Sequence, residues 1–267
     1  EDLVKQAISA TFKGLVEINK QERKPASLDK LCVGVKCGGS DGFSGISANP
    51  AVGYCSDLVA ALGGKILLAE FPELCGAEQD LIDRSVDEPT ARKFIKLMQA
   101  YDSLAHQAGS GFYMNPSPGN IRDGLITDAI KSTGAAKKGG YSPVVDVLDY
   151  TEQATKAGLS LVCTPGNDVE ATTGKAAAGA TLILFTTGRG TPLGFPAPTL
   201  KIASNSDLAA RKAGWIDFDA GTVIDDGFDA ASNALRDLIV ATASGAITKA
   251  EANEERDIAI WKSGVTL

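Results

Sequence analysis

The chain has 267 residues, with 26 basic and 33 acidic side chains and a formal net charge of −7. Apolar residues make up 44% and charged residues 22%, the balance of a globular protein able to bury a sizeable core without a metal or disulfide staple. The acidic balance argues against nucleic acid and against a polybasic membrane patch as partners, and no apolar run approaches the roughly 20 residues that span a bilayer.

In chain order, Leu3, Val4, Ile8, Phe12, Leu15, Val16 and Ile18 recur close to helical spacing. Residues 31–35 form a short apolar run, Leu-Cys-Val-Gly-Val, that reads as a buried strand. Similar runs follow at 65–69, 143–148, 159–163, 181–185 and 200–203. Helical patterns lie at 51–62, 78–85, 90–108, 119–132, 170–178, 207–213 and 230–244. Short apolar strands alternating with helices predict an α/β fold, a mainly parallel sheet with helices on both faces. The pattern leaves strand order open, an unusual one included. No repeat or linker interrupts it, so residues 1–267 read as a single domain.

The chemistry-bearing residues follow the strands. The first strand runs into Cys37-Gly38-Gly39-Ser40-Asp41, and the second ends in Glu70-Phe71-Pro72-Glu73. The fourth leads to Thr164-Pro165-Gly166-Asn167-Asp168, and the fifth to Thr186-Thr187-Gly188-Arg189-Gly190. In a parallel sheet these carboxyl ends share one edge, where open α/β folds bind ligands. The glycine loop is neither a Walker A motif nor G-x-G-x-x-G, and Asp41 opposes a bound pyrophosphate, so nucleotide binding is disfavoured. Arg189 between glycines suits a carboxylate, or an acid of the chain itself. Asp41, Glu70 and Glu73 suit a hard cation, and Cys37 before two glycines is read as a thiol of lowered pKa that would ligate a softer one. Glu78 reads better as a helix-start acid, and the sole histidine, His106, as a helix C-terminal residue. Asn115 and Asn120 flank a proline turn and offer two amides to a polyol. Five cysteines without a C-x-x-C read as reduced thiols, which suits a cytoplasmic location.

On these residues the chain resembles the altronate/galactarate dehydratase family. The matching stretches are Lys36-Cys37-Gly38-Gly39-Ser40-Asp41-Gly42-Phe43-Ser44-Gly45, Asn115-Pro116-Ser117-Pro118-Gly119-Asn120 and Phe185-Thr186-Thr187-Gly188-Arg189-Gly190-Thr191-Pro192. Glu70-Phe71-Pro72-Glu73 and Pro165-Gly166-Asn167-Asp168 resemble the altronate branch most. The resemblance covers essentially the whole chain and implies the C-terminal catalytic domain of a protein about twice as long, the small N-terminal and middle domains being absent. It further implies a hydro-lyase that converts D-altronate to 2-dehydro-3-deoxy-D-gluconate with a divalent metal, Fe²⁺ first and Mn²⁺ or Mg²⁺ as substitutes. Galactarate dehydratase, a sulfolactate sulfo-lyase subunit, or a non-catalytic sugar-acid-binding or dimerising domain are the alternatives. By position, Cys37, Asp41, Glu70 and Glu73 are the expected catalytic residues, with Cys37, Asp41 and Glu70 as metal ligands. Gly38, Gly39, Ser40, Asn115, Asn120, Thr187 and Arg189 are the expected sugar-acid contacts, and a homodimer is compatible with the family. Where the family usually has Lys-x-Gly-Gly after the second asparagine, this chain reads Ile121-Arg122-Asp123-Gly124, a change that bears on substrate preference.

Overall fold

The computed structural model describes residues 2–262. Seven strands, β1 (Cys32–Cys37), β2 (Lys65–Ala69), β3 (Val144–Leu148), β4 (Gly158–Val162), β5 (Leu182–Thr187), β6 (Thr199–Ala203) and β7 (Phe218–Asp219), form one sheet in which every pairing is parallel. The order is β3-β4-β2-β1-β5-β6-β7. From β1 the chain passes to β2 on one side, and from β5 it passes to β6 on the other. The direction of winding therefore reverses between β1 and β5, and the carboxyl ends of that pair open a crevice.

Strand residues alternate between two cores. Val33, Val35, Ile66, Leu68, Leu182 and Leu184 face one cluster, while Cys32, Leu67, Ala69, Ile183 and Phe185 face the other. Burial on both faces is why these segments read as continuous apolar runs rather than as alternation. At roughly 1.5–3 kcal/mol for each fully buried large apolar side chain, these two layers dominate the stabilisation of the fold.

One of the expected helices is interrupted in the structure. The expected helix over 119–132 is two helices, Pro118–Arg122 and Asp128–Ala136. Gly124, at φ +100°, turns the chain between them, and the Thr127 hydroxyl caps the second by accepting from the Ile130 N–H. The first helix, Asp2–Asn19, forms as its periodicity predicts but buries none of its residues. The strand β7 is only two residues long and was not expected from the pattern. All five cysteines are free thiols. No helix among the described residues is long and apolar enough to cross a membrane.

Candidate active site

The loops after β1, β2, β4 and β5 meet around a cavity of about 520 Å³, a size that suits a small metabolite. Its lining includes Cys37, Gly38, Gly39, Ser40, Glu73, Asn115, Asn120, Lys131, Asp168 and Arg189. Cys37 ends β1, and its thiol donates to Glu73 Oε2 at 2.9 Å. Lys138 Nζ lies 2.7 Å from the same sulfur, and Lys131 Nζ lies 3.1 Å from Glu73 Oε1. Below the cavity floor Lys36 pairs with Glu70, both fully buried, and stands 2.9 Å from Asp168 Oδ1. Lys36 also donates to the carbonyls of Cys37 at 2.8 Å and Gly166 at 3.2 Å, tying β1 to the loop after β4. Glu70 Oε1 makes no hydrogen bond of its own but faces Lys138 at 3.5 Å and Lys175 at 3.8 Å.

Local sequence sets these positions. Asn167 caps the Asp168–Ala177 helix through the Val169 N–H, which places Asp168 at the first helical position, beside Lys36. Gly38 has no room for a Cβ, which would fall 2.5 Å from Phe185 and 2.6 Å from the Asp168 carboxylate. Gly34 admits Lys175, whose Nζ reaches the Val35 carbonyl at 2.9 Å. Glu70 adopts φ +75°, a left-handed conformation that is rare for a side chain of its size and is held by the surrounding contacts.

Burial and packed charges drive these groups apart. Burial works to raise Glu73, but Lys131, Lys36 and Lys138 outweigh it and hold the carboxyl well below its usual range. Burial and the neighbouring Glu73 push Glu70 up. Burial works to lower Lys36, yet Asp168, Glu70 and Glu73 hold it well above its ordinary value. Burial brings Lys175 down to about 7. The Cys37 thiol was expected to be lowered; burial and the charge of Glu73 instead raise it to about 11, against the opposing pull of Lys138. No helix N-terminus lies at Cys37 to lower its thiol, because β1 runs through Cys37 and the next helix begins only at Ala48.

Cys37, Glu70 and Glu73 of the expected catalytic set are thus brought together. Asp41 is not: its carboxylate accepts from Ser44 on one oxygen and from Ser204 at 2.9 Å and Asn205 at 3.1 Å on the other, which fixes the loop. Gly38, Gly39, Ser40, Asn115 and Asn120 do line the cavity. Both asparagines are already engaged, Asn115 with Pro72 and Lys131, Asn120 with Ser40 and Lys131, so they orient the lysine. Thr187 accepts the Gly190 N–H at 2.8 Å and shapes its turn. Arg189 stands at the rim, paired with Asp123.

The sequence from residue 28 to 266 matches the family described as D-galactarate/Altronate dehydratase, C-terminal. The chain belongs to this family. It is 47% identical over 251 residues to the altronate dehydratase of Escherichia coli K12, covering 94% of this chain and 51% of that protein. Identity to the altronate dehydratase of Bacillus subtilis 168 is 44% over 249 residues, covering 92% and 50%. Identity to the L-threo-forming galactarate dehydratase of E. coli K12 is 37% over 224 residues, covering 84% and 43%. The chain therefore spans about half the length of these relatives.

The lysines of this dehydratase-family site, Lys36, Lys131, Lys138 and Lys175, were missed in the sequence, as was the role of Asp168. The available signal was their company: Lys36 interrupts an apolar strand, and Lys175 sits in a Gly-Lys-Ala-Ala-Ala run. They also bear on whether a metal fits here. One ligand atom each from Cys37, Glu70 and Glu73 lie within 4.8 Å of one another, a spacing that brings three donors onto one cation. Each of those residues, however, already faces an ammonium group: Glu70 faces Lys36, Glu73 faces Lys131 and the Cys37 sulfur faces Lys138. A divalent ion placed here has to displace buried ammonium groups, so the residues as arranged do not fit Fe²⁺, Mn²⁺ or Mg²⁺.

Proposed function

We propose that this chain is the catalytic C-terminal part of a longer sugar-acid dehydratase, a hydro-lyase converting D-altronate to 2-dehydro-3-deoxy-D-gluconate. The observation that carries this reading is the Cys37–Glu73 hydrogen bond on the cavity floor, a proton donor beside an ionised acceptor, with the Lys131 ammonium alongside. Dehydration needs such a pair: one group to take the proton at C2 and another to protonate the departing C3 hydroxyl.

In this reading Glu73 takes the C2 proton, and Lys131 balances the charge that develops on the substrate carboxylate. The electron pair left by the C–H bond forms the C2–C3 double bond as the C3–O bond breaks. The leaving hydroxide takes the Cys37 proton and departs as water. Protonated Glu73 then returns its proton to the thiolate across their 2.9 Å contact, restoring both groups. The enol product tautomerises to the 2-keto acid. Lys138, against the sulfur, stabilises the transient thiolate. No step runs through a metal.

The test is 2-keto acid formation from D-altronate, measured anaerobically with and without Fe²⁺, by this chain and by the full polypeptide that contains it. Product from this chain is the expected result. Product from the longer polypeptide alone makes the site a shared one, and acceptance of galactarate or sulfolactate in place of altronate moves the assignment within the family. No product from any of them refutes the reading.

A further inference from the structure

Arg189 lines the cavity at its rim, with 44% of its side chain exposed, and two of its three nitrogens already donate within the chain. Nε pairs with the Asp123 carboxylate, and Nη2 donates to the Gly119 carbonyl at 2.8 Å. The seat is a built one. A Cβ at position 119 would fall 2.8 Å from Nη1 and 3.1 Å from Nη2, so a side chain there would push the fork out of its present place. Asp123 is held in turn: its carbonyl accepts the Gly42 N–H at 2.8 Å, and its N–H reaches back to Gly119 and Asn120. The pairing is mutual, with the Asp123 carboxyl lowered and the guanidinium raised by their hydrogen bond.

The charges facing the cavity follow from this. On the floor Lys131 stands against Glu73, and Asp168 is paired with Lys36. At the rim Arg189 is balanced by Asp123, which lines the neighbouring cleft that shares this arginine. A substrate with one carboxylate at its reacting end and a hydroxymethyl group at the other meets no uncompensated charge at the rim. A dicarboxylate brings its second carboxylate up to a guanidinium that is already engaged and to an acid of the same sign.

Resting on the dehydratase reading above, we propose that Asp123 is a specificity-determining residue, which by occupying Arg189 makes the site select aldonates, sugar acids with one carboxylate, over aldarates, which have two. Removing its charge without changing its shape releases the guanidinium for the distal carboxylate of an aldarate.

The experiment compares kcat/KM for D-altronate and galactarate in the full polypeptide that contains this chain, as wild type, Asp123→Asn, and Asp123→Asn combined with Arg189→Gln. Asp123→Asn is expected to move the ratio toward galactarate by about tenfold or more, through a rise for galactarate. The double substitution is expected to abolish that rise. A merely structural role of Asp123 lowers both acids together and leaves the ratio where it was, which overturns the assignment. So does a rise that survives loss of Arg189. If the wild type turns over neither acid, the dehydratase reading falls by itself. The ratio is then read from calorimetric titration of the same two acids, and an unchanged binding ratio in Asp123→Asn overturns the inference independently.

Discussion

Lys36 is the keystone of the buried charge cluster, and replacing it with methionine tests the whole arrangement. Methionine fills a similar volume but removes the ammonium from Glu70, which is fully buried, and from Asp168, which retains 27% exposure. It also removes the donors that tie the Cys37 and Gly166 carbonyls together. Breaking a buried pair by deleting one partner costs about 3–5 kcal/mol; Lys138 at 3.5 Å and Lys175 at 3.8 Å still face Glu70 Oε1 after the substitution, which keeps the loss at the lower end, about 3 kcal/mol. Asp168 recovers part of its share from solvent, so most of the loss falls on Glu70. For a chain of this size each kcal/mol moves the midpoint by about 2–4 °C, so Lys36→Met lowers Tm by about 6–12 °C. The assay is thermal unfolding followed by circular dichroism at pH 7. Adding Glu70→Gln to Lys36→Met removes the stranded charge and is expected to recover about 0.5–3 kcal/mol, the coupling typical of residues in contact. A loss below about 1 kcal/mol, or no recovery in the double variant, refutes the claim that Lys36 is the partner that makes burial of Glu70 tolerable.

Two further outcomes follow from the same geometry. Cys37→Ser and Glu73→Gln each lower kcat for 2-keto acid formation by about 10²–10⁴-fold, because each removes one half of the proton relay, while a role in packing alone leaves turnover near that of the parent. Lys175, brought down to about 7 in the fold, makes stability rise with pH between about 7 and 10, since the unfolded chain keeps a proton there that the folded chain has released. The slope approaches 1.4 kcal/mol per pH unit for one proton at about 25 °C, and below pH 7 both states are charged and the contribution is flat. It is measured by urea unfolding as the difference between the parent and Lys175→Met. The five thiols, all held up in the fold, pull stability the other way above about pH 8.5 but cancel in that difference. Identical pH slopes in the two proteins contradict a neutral Lys175.

Much of the scaffold was legible because its cause is local. Runs of five apolar residues form strands wherever a sheet is covered on both faces, and the 65–69 run coincides with β2. The β7 strand escaped because two residues have no period to read. The predicted helix over 119–132 failed at Gly124, where a positive φ interrupts a pattern whose polarity alone looks continuous. In the site, Cys37, Glu70 and Glu73 were visible as polar residues closing or following apolar strands. The lysines were not, since a lysine in a sequence reads as surface until the fold shows the acid it meets. Asp41 shows the converse: its position in the glycine loop suggested chemistry, and three side-chain donors from two segments turn it inward instead.

The sequence by itself determined the alternation of strands and helices, the parallel sheet, the family and the edge at which the loops gather, because apolar periodicity and turn residues act over a few neighbours. Only the tertiary structure decided which charges face one another. Lys36 meets Glu70 across 34 positions, Lys138 meets the same carboxylate from the other side of the sequence gap at 3.5 Å, and Arg189 meets Asp123 across 66. A buried charge is tolerable only when its counter-charge arrives from elsewhere in the chain, and that pairing is fixed by the packing of the sheet.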